Sequence, residues 1–138
     1  MKRLIMVFVL CITMLMPMTV SAAVADPGDS VAPCWEYMND MDVQIAFSGT
    51  TGTAKGSVDR ILGVTTEITG TLYVYRKVGT SWVFVDSETK TSSQTLSVEV
   101  TFDAVKGAEY KAILRATAYG SGGSETDTTS TTKICPIN

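Results

Sequence analysis

The residues of this chain that could do chemistry are acidic, aromatic or sulfur-containing, because the sequence contains no histidine. Without histidine, Ser-His-Asp and Cys-His nucleophilic catalysis are excluded, as is histidine acid-base chemistry. Two carboxylate pairs remain, Asp40 with Asp42 and Glu125 with Asp127. Residues two apart share one face of a strand, so either pair could form a hydrolytic dyad or contribute to a calcium site.

A simpler explanation is that these carboxylates are solvated side chains. Calcium usually needs about six to eight oxygen ligands, and no further acidic cluster in the sequence completes such a set. Asn39-Asp40 favours a turn, and Asp42 and Glu125 are then expected in solvent. The chain also lacks a CxxC pair for zinc. We therefore expect no catalytic residue, no metal site and no cofactor.

Aromatic side chains give a better lead to function. Tyr73 and Tyr75 alternate with Leu72 and Val74, so the two tyrosines share one face of a predicted strand. Outward tyrosines can stack on sugar rings or anchor a protein partner. The alternative is cross-strand packing that supports the sheet surface. Trp82 is expected to plug one end of the core.

Residues 1–25 have the composition of a secretory signal peptide. A basic start precedes an apolar run over residues 4–16, and Ala23-Val24-Ala25 fits the small-x-small cleavage pattern. The run is shorter than the roughly 20 residues of a membrane-spanning helix. We therefore expect a secreted protein with no stable membrane insertion, in which residues 26–33 are a flexible leader and 34–138 form one domain.

Removing the signal peptide makes the chain more acidic and leaves two cysteines. Without Lys2 and Arg3, the 11 basic residues become 9 against 14 acidic ones, a net charge of −5. This balance argues against a nucleic-acid partner. In an oxidising compartment Cys34 and Cys135 are expected to form a disulfide, with Trp35 packed over it. An intermolecular bridge or two free thiols are the alternatives.

Period-two alternation of apolar residues predicts an all-β chain. Small inward residues at Ala54 and Gly56 indicate close approach of an opposing sheet or a bend. The run 82–85 is apolar on both faces, which predicts a well-covered strand, and the polar residues 87–95 then form a connection. Seven strands with these turn signals predict an antiparallel sandwich of two sheets, with a small barrel as the alternative. The predicted strands cover residues 41–47, 53–61, 66–78, 82–85, 96–102, 110–119 and 125–134.

Several short motifs resemble known sandwich domains. The segment KGAEYKAIL (106–114) is similar to the G-x-x-Y approach to strand F of immunoglobulin-like and fibronectin type III-like domains, which makes Tyr110 the residue of a tyrosine corner. With GTAKGSV, TTEITGTL, GTSWV and GGSET, the chain from Met41 to Ile134 resembles uncharacterised small secreted sandwich proteins of Gram-positive, clostridial-type bacteria. The resemblance implies a seven-stranded antiparallel immunoglobulin-like or fibronectin III-like sandwich and export from the cell, and it assigns no functional residue.

Together these features predict a secreted, non-catalytic binding or interaction module. Its partner would be an unidentified protein or glycan, contacted through the face of Tyr73 and Tyr75 or through the loops. The alternatives are a structural or self-assembling component of the cell envelope and a carboxylate-based hydrolase.

The predicted disulfide also constrains the path of the chain. In a fibronectin-type strand order the first and last strands run the same way, so Cys34 and Cys135 would lie at opposite ends, beyond the roughly 4–7 Å Cα separation that a disulfide tolerates. We therefore expect residues 34–39 to run back along the sandwich or cross one end of it, with Asn39-Asp40 as the turn into Met41.

Reducing this disulfide should destabilise the mature protein. It would close a loop of about 100 residues, for which chain entropy alone gives roughly 4–5 kcal/mol. Urea unfolding with and without reductant measures the effect, and a Cys34→Ser/Cys135→Ser variant, which should not respond to reductant, is the control. Superimposable curves for the unsubstituted protein would contradict the prediction.

Overall fold

The computed structural model describes residues 35–138 and arranges them as seven β-strands without a helix. All strand pairs are antiparallel. A three-stranded sheet has the order β1-β2-β5 and a four-stranded sheet the order β4-β3-β6-β7. This is an all-β sandwich of the immunoglobulin and fibronectin III type, which confirms the predicted fold class. The strands are β1 (Met38–Ser48), β2 (Thr51–Arg60), β3 (Thr65–Val78), β4 (Ser81–Ser92), β5 (Leu96–Asp103), β6 (Glu109–Gly120) and β7 (Gly123–Ile134).

Several predictions fall on residues 1–34 and so lie outside the described residues. These are the signal peptide, the leader and Cys34, and with Cys34 the proposed disulfide. Within residues 35–138 there is no helix of the length and hydrophobicity needed to cross a membrane.

The two sheets interlock at glycines. A Cβ on Gly56 of β2 would lie 2.9 Å from Leu114 Cδ2 of the opposing sheet, and a Cβ on Gly70 of β3 would overlap Leu96 Cδ2 of the three-stranded sheet. Each leucine fills the space that its opposing glycine leaves, and both leucines are buried. The close approach predicted from the small residues of β2 is therefore confirmed.

A tyrosine corner fixes the connection between β5 and β6. Tyr110 is fully buried, and its hydroxyl accepts a hydrogen bond of 2.8 Å from the Val105 N–H. Its ring packs on Phe102 and Phe47, with centroid distances of 5.0 and 5.6 Å. The same connection holds the C-terminal segment, because Cys135 N donates to Ala108 O at 2.9 Å. Cys135 is accordingly buried just three residues from the end of the chain.

Two details of the predicted elements are wrong. The polar connection at 87–95 is strand for most of its length, because β4 continues to Ser92. The strand residues 87–92 are all polar and show no alternation with apolar residues, because β4 is an edge strand that buries little of its surface. The turn at Asn39-Asp40 is also wrong, because β1 begins at Met38 and runs through both residues, with an irregular register between Met38 and Asp40.

Replacing Gly56 with alanine should lower the free energy of unfolding by about 1–3 kcal/mol, because the fully buried Leu114 side chain must shift to admit the added methyl group. Urea denaturation measures the effect. Leu114→Ala removes the obstructing side chain, so Gly56→Ala should cost much less in that background. Additive effects of the two substitutions would contradict the interlock.

Candidate functional site

Tyr73 and Tyr75 lie on the outer face of the four-stranded sheet. Leu72 and Val74, which alternate with them, are fully buried, so the predicted orientation is confirmed. Both tyrosines are half-buried among side chains of the neighbouring strands. Tyr75 lies opposite Phe84 of β4 on one side and opposite Lys111 of β6 on the other. Their role as ligand contacts stays a prediction.

One end of this outer face carries aromatic rings and cations together. The Tyr75 and Phe84 rings meet edge to face with centroids 5.9 Å apart. Lys111 Nζ lies 4.3 Å from the centroid of the Trp82 ring, and Lys77 Nζ lies 5.7 Å from it. We call this set the aromatic–basic patch, which consists of Tyr73, Tyr75, Lys77, Trp82, Phe84 and Lys111.

Trp82 is therefore not a plug of the core. It lies on the outer face as a platform for the two lysine ammonium groups, an arrangement stabilised by cation–π attraction. The predicted cover over 82–85 is also wrong, because Val83 is 46% exposed and Phe84 55% exposed. The physical reason is that β4 pairs only with β3 in the described sheet and has no neighbour on its other side.

Charge is segregated between the two outer faces of this acidic chain. Lys77, Lys111 and Arg115 lie on the outer face of the four-stranded sheet together with Glu67 and Glu109, and Lys77 pairs with Glu109 at 2.8 Å. Among residues 35–138, Lys111 and Arg115 form no salt bridge. The outer face of the three-stranded sheet has Lys55 as its one basic residue among the described strands, and its other charged residues are acidic. Its acidic residues are Asp40, Asp42, Asp59, Glu99 and Asp103.

The carboxylate pair of Glu125 and Asp127 binds the N-terminal segment. Glu125 Oε2 accepts hydrogen bonds of 3.0 Å from the backbone N–H groups of both Glu36 and Tyr37. Asp127 Oδ2 accepts one of 2.5 Å from the Trp35 indole N–H. Glu125 is therefore half-buried and bonded to the backbone, so the expectation of a freely solvated side chain is wrong. These carboxylates occupy the inward side of an edge strand and satisfy backbone donors there.

Asp40 and Asp42 are placed differently. Both are exposed on the outer face of the three-stranded sheet, where Gln44 Nε2 donates to Asp42 at 2.8 Å and Asp40 lies opposite Asp59. The part of the chain that the structure describes contains no group of three acidic or cysteine side chains that could hold a metal ion. Neither carboxylate pair is therefore part of such a group.

The position of the N-terminal segment bears on the predicted disulfide. The backbone of Glu36 is held at Glu125, near the start of β7, whereas Cys135 directly follows the end of that strand. The residue steps from Glu125 to Cys135 span about 33 Å at ~3.3 Å each. Cys34 is two residues from Glu36, so an intramolecular bond between Cys34 and Cys135 requires this segment to leave Glu125. Residues 36–38 therefore do not run back toward Cys135 as expected. The disulfide itself stays a prediction.

Two residues of the patch, Phe84 and Lys111, were not predicted from the sequence as site residues. Phe84 lies two residues from Trp82, and Lys111 lies one residue after Tyr110, at the start of an alternating run. The i, i+2 spacing of Trp82 and Phe84 is the signal for a shared face, and burial of Tyr110 implies that Lys111 points outward. The pairing of β4 with β3 brings the two signals together.

Comparisons with known proteins find similarity in fold only. The solution structure of CsgH from R. palustris matches with a TM-score of 0.46 and 19% identity over 70% of this chain and 91% of that one. The twitchin kinase region from C. elegans, which contains Fn3 and Ig domains, matches with a TM-score of 0.29 and 18% identity over 62% of this chain and 14% of that one. No protein-family model and no curated protein matches.

Glu125→Ala should release the N-terminal segment from β7. It removes a charged acceptor from two backbone N–H groups, and hydrogen bonds to charged groups contribute about 1.5–3 kcal/mol each, less where water can replace them. We expect faster amide exchange at Glu36 and Tyr37 and a lower free energy of unfolding. Glu67→Ala, at an exposed position of β3, is the control. Unchanged exchange at both amides would contradict the assignment.

Proposed function

We propose that this chain is an exported, non-catalytic protein-binding module and that its partner contacts the aromatic–basic patch. The observation that carries the proposal is the exposed Phe84 ring beside two lysine ammonium groups gathered over Trp82. Aromatic residues are enriched at the centres of protein interfaces, where they contribute much of the binding energy. The surrounding acidic surface makes this face the basic one, which favours a partner with acidic groups.

A protein suits the patch better than a glycan. The Phe84 ring is 55% exposed and meets the Tyr75 ring edge to face, with the centroids 5.9 Å apart. Exposed aromatic surface of this kind is typical of protein interaction sites. The patch also contains no Asn, Gln or unpaired carboxylate to hydrogen-bond sugar hydroxyls. A glycan ligand is therefore an outcome that would overturn this choice.

Export supports the same reading from the sequence. The basic start, apolar run and Ala-Val-Ala site of residues 1–25 are the pattern of a secretory signal peptide. A partner would then be met outside the cell or at its surface. The resemblance to small secreted sandwich proteins of Gram-positive bacteria adds the same expectation.

Capture of partners by matched variants tests this function. The mature protein, Phe84→Ala and Lys111→Ala are immobilised and exposed to culture medium and envelope extract, together with two controls. Leu62→Ala removes an exposed apolar side chain and Lys55→Ala an exposed cation, both away from the patch. We expect proteins that the unsubstituted protein and both controls retain, with about tenfold weaker binding by each patch variant.

Three outcomes would contradict the proposal. One is equal retention of the same proteins by the patch variants and the controls. Another is selective binding to a glycan array that depends on Phe84. The third is concentration-dependent self-association in analytical ultracentrifugation that Lys111→Ala abolishes, since that would indicate an assembling structural component.

A further inference from the structure

We infer that the partner binds as an added β-strand. In this arrangement an extended segment with alternating acidic and apolar side chains pairs with the outer edge of β4, beside Ser81–Phe84. The inference rests on the proposed function and specifies how the same patch is used. The edge supplies main-chain hydrogen bonds, and the patch receives the alternate side chains that point outward.

The edges of the sandwich are not equally open. On the side of β1 and β7, Lys133 Nζ donates to the Ile45 carbonyl of β1 at 3.1 Å, and Glu125 binds the backbone N–H groups of residues 36 and 37. Charged side chains placed at an edge in this way block strand addition. The short strand β5, Leu96–Asp103, carries Glu99 and Asp103 on its exposed positions.

The first half of β4 lacks this protection. Among residues 35–138, β4 pairs with β3 and with no other strand, and it extends over 12 residues. Ser81-Trp82-Val83-Phe84-Val85 contains no charge, and Val83 and Phe84 are about half exposed. An uncharged, β-branched and aromatic edge of this kind is a template for a further strand. The first charged residue of β4 is Asp86, so charged side chains protect only the second half of the strand.

A β-bulge sets one end of the docking segment. Val74 of β3 pairs with Asp86 and Tyr75 with Phe84, so Val85 is the extra residue on β4. A bulge interrupts a regular ladder and twists the edge. An added strand therefore pairs between the turn before Ser81 and the bulge at Val85. This stretch matches the position of the patch along the strand.

The acidic character of the partner follows from where the cations lie. Lys111 belongs to β6, which is separated from β4 by β3, yet its Nζ lies 4.3 Å from the Trp82 ring centroid on β4. Lys77 Nζ reaches the same ring at 5.7 Å. The Trp82 platform thus brings two positive charges to the edge strand. A strand added about 4.8 Å from β4 would place its outward side chains beside these charges.

A second copy of this chain is the less favourable occupant of the edge. The β4 strand of a second copy would bring Ser81–Val85, which contains no acidic residue, and would add a second set of patch lysines to the same sheet face. An acidic segment instead places opposite charges beside the lysines. The charge on the patch therefore favours a different chain.

Capped eight-residue peptides test the inference on the mature protein. The first alternates glutamate and valine, the second alternates lysine and valine, and the third alternates glutamate and proline. The proline peptide keeps the charge but has half as many backbone donors and cannot form a regular ladder. Binding is followed by NMR titration, and amide exchange reports protection at residues 81–84.

We expect the glutamate–valine peptide to bind and to slow amide exchange within 81–84. The lysine–valine and glutamate–proline peptides should bind at least tenfold more weakly. Lys111→Ala should weaken binding of the glutamate–valine peptide severalfold, and Lys55→Ala should not. Val83→Lys, which adds a charge to the edge at an exposed position where folding tolerates it, should abolish the protection.

The outcomes separate this inference from the function on which it rests. Equal binding of the glutamate–proline peptide, or protection at β7 or β1 in place of β4, overturns strand addition and leaves a patch that binds proteins by side chains alone. No binding of the glutamate–valine peptide at millimolar concentration also overturns strand addition, while patch-dependent capture of proteins would still support the proposed function. If neither peptide binding nor patch-dependent capture of proteins is observed, both strand addition and the proposed function are overturned.

Discussion

The reciprocal insertion of two leucines into two glycine positions is the constraint on which this sandwich depends. Leu114 of the four-stranded sheet fills the space above Gly56, and Leu96 of the three-stranded sheet fills the space above Gly70. Each insertion fits only when both sheets have their present registers, because a slip of one residue would turn every inward side chain outward. The interlock therefore fixes which side chains of β3 and β6 face the solvent.

The aromatic–basic patch is a consequence of those fixed registers. With Gly70, Leu72 and Val74 inward, the odd-numbered residues that follow Gly70 must point outward, and Tyr75 then meets Phe84 and Lys111 across its two neighbours. Both lysine ammonium groups lie near the Trp82 ring, where they gain cation–π attraction, and the Lys77 side chain is still 43% exposed.

Much of the fold could be predicted from the sequence because buried strands alternate. The strand at Leu96–Asp103 and the tyrosine corner at Tyr110 show clear periodic or motif signals, and both are present. The edge strand β4 could not be predicted in this way. A strand that pairs on one side buries too few side chains to require alternating apolar and polar residues. The hydrogen bonds of Glu125 to the backbone of residues 36 and 37 could not be predicted either, because these residues are 89 and 88 positions away in the sequence and no local pattern links them.

The two sides of the sandwich are closed by different means, and this difference decides where a partner could pair with the backbone. On one side the chain uses its own charges, with Lys133 on a β1 carbonyl and Glu125 on the N-terminal backbone. On the other side β4 relies on a bulge and on the charges that follow it, which protect only its second half. Because this protection begins only at Asp86, residues 81–85 form an uncharged edge beside a basic, aromatic surface. Backbone hydrogen-bonding capacity and side-chain chemistry therefore coincide at the first half of β4, whose partner strand β3 belongs to the interlocked core.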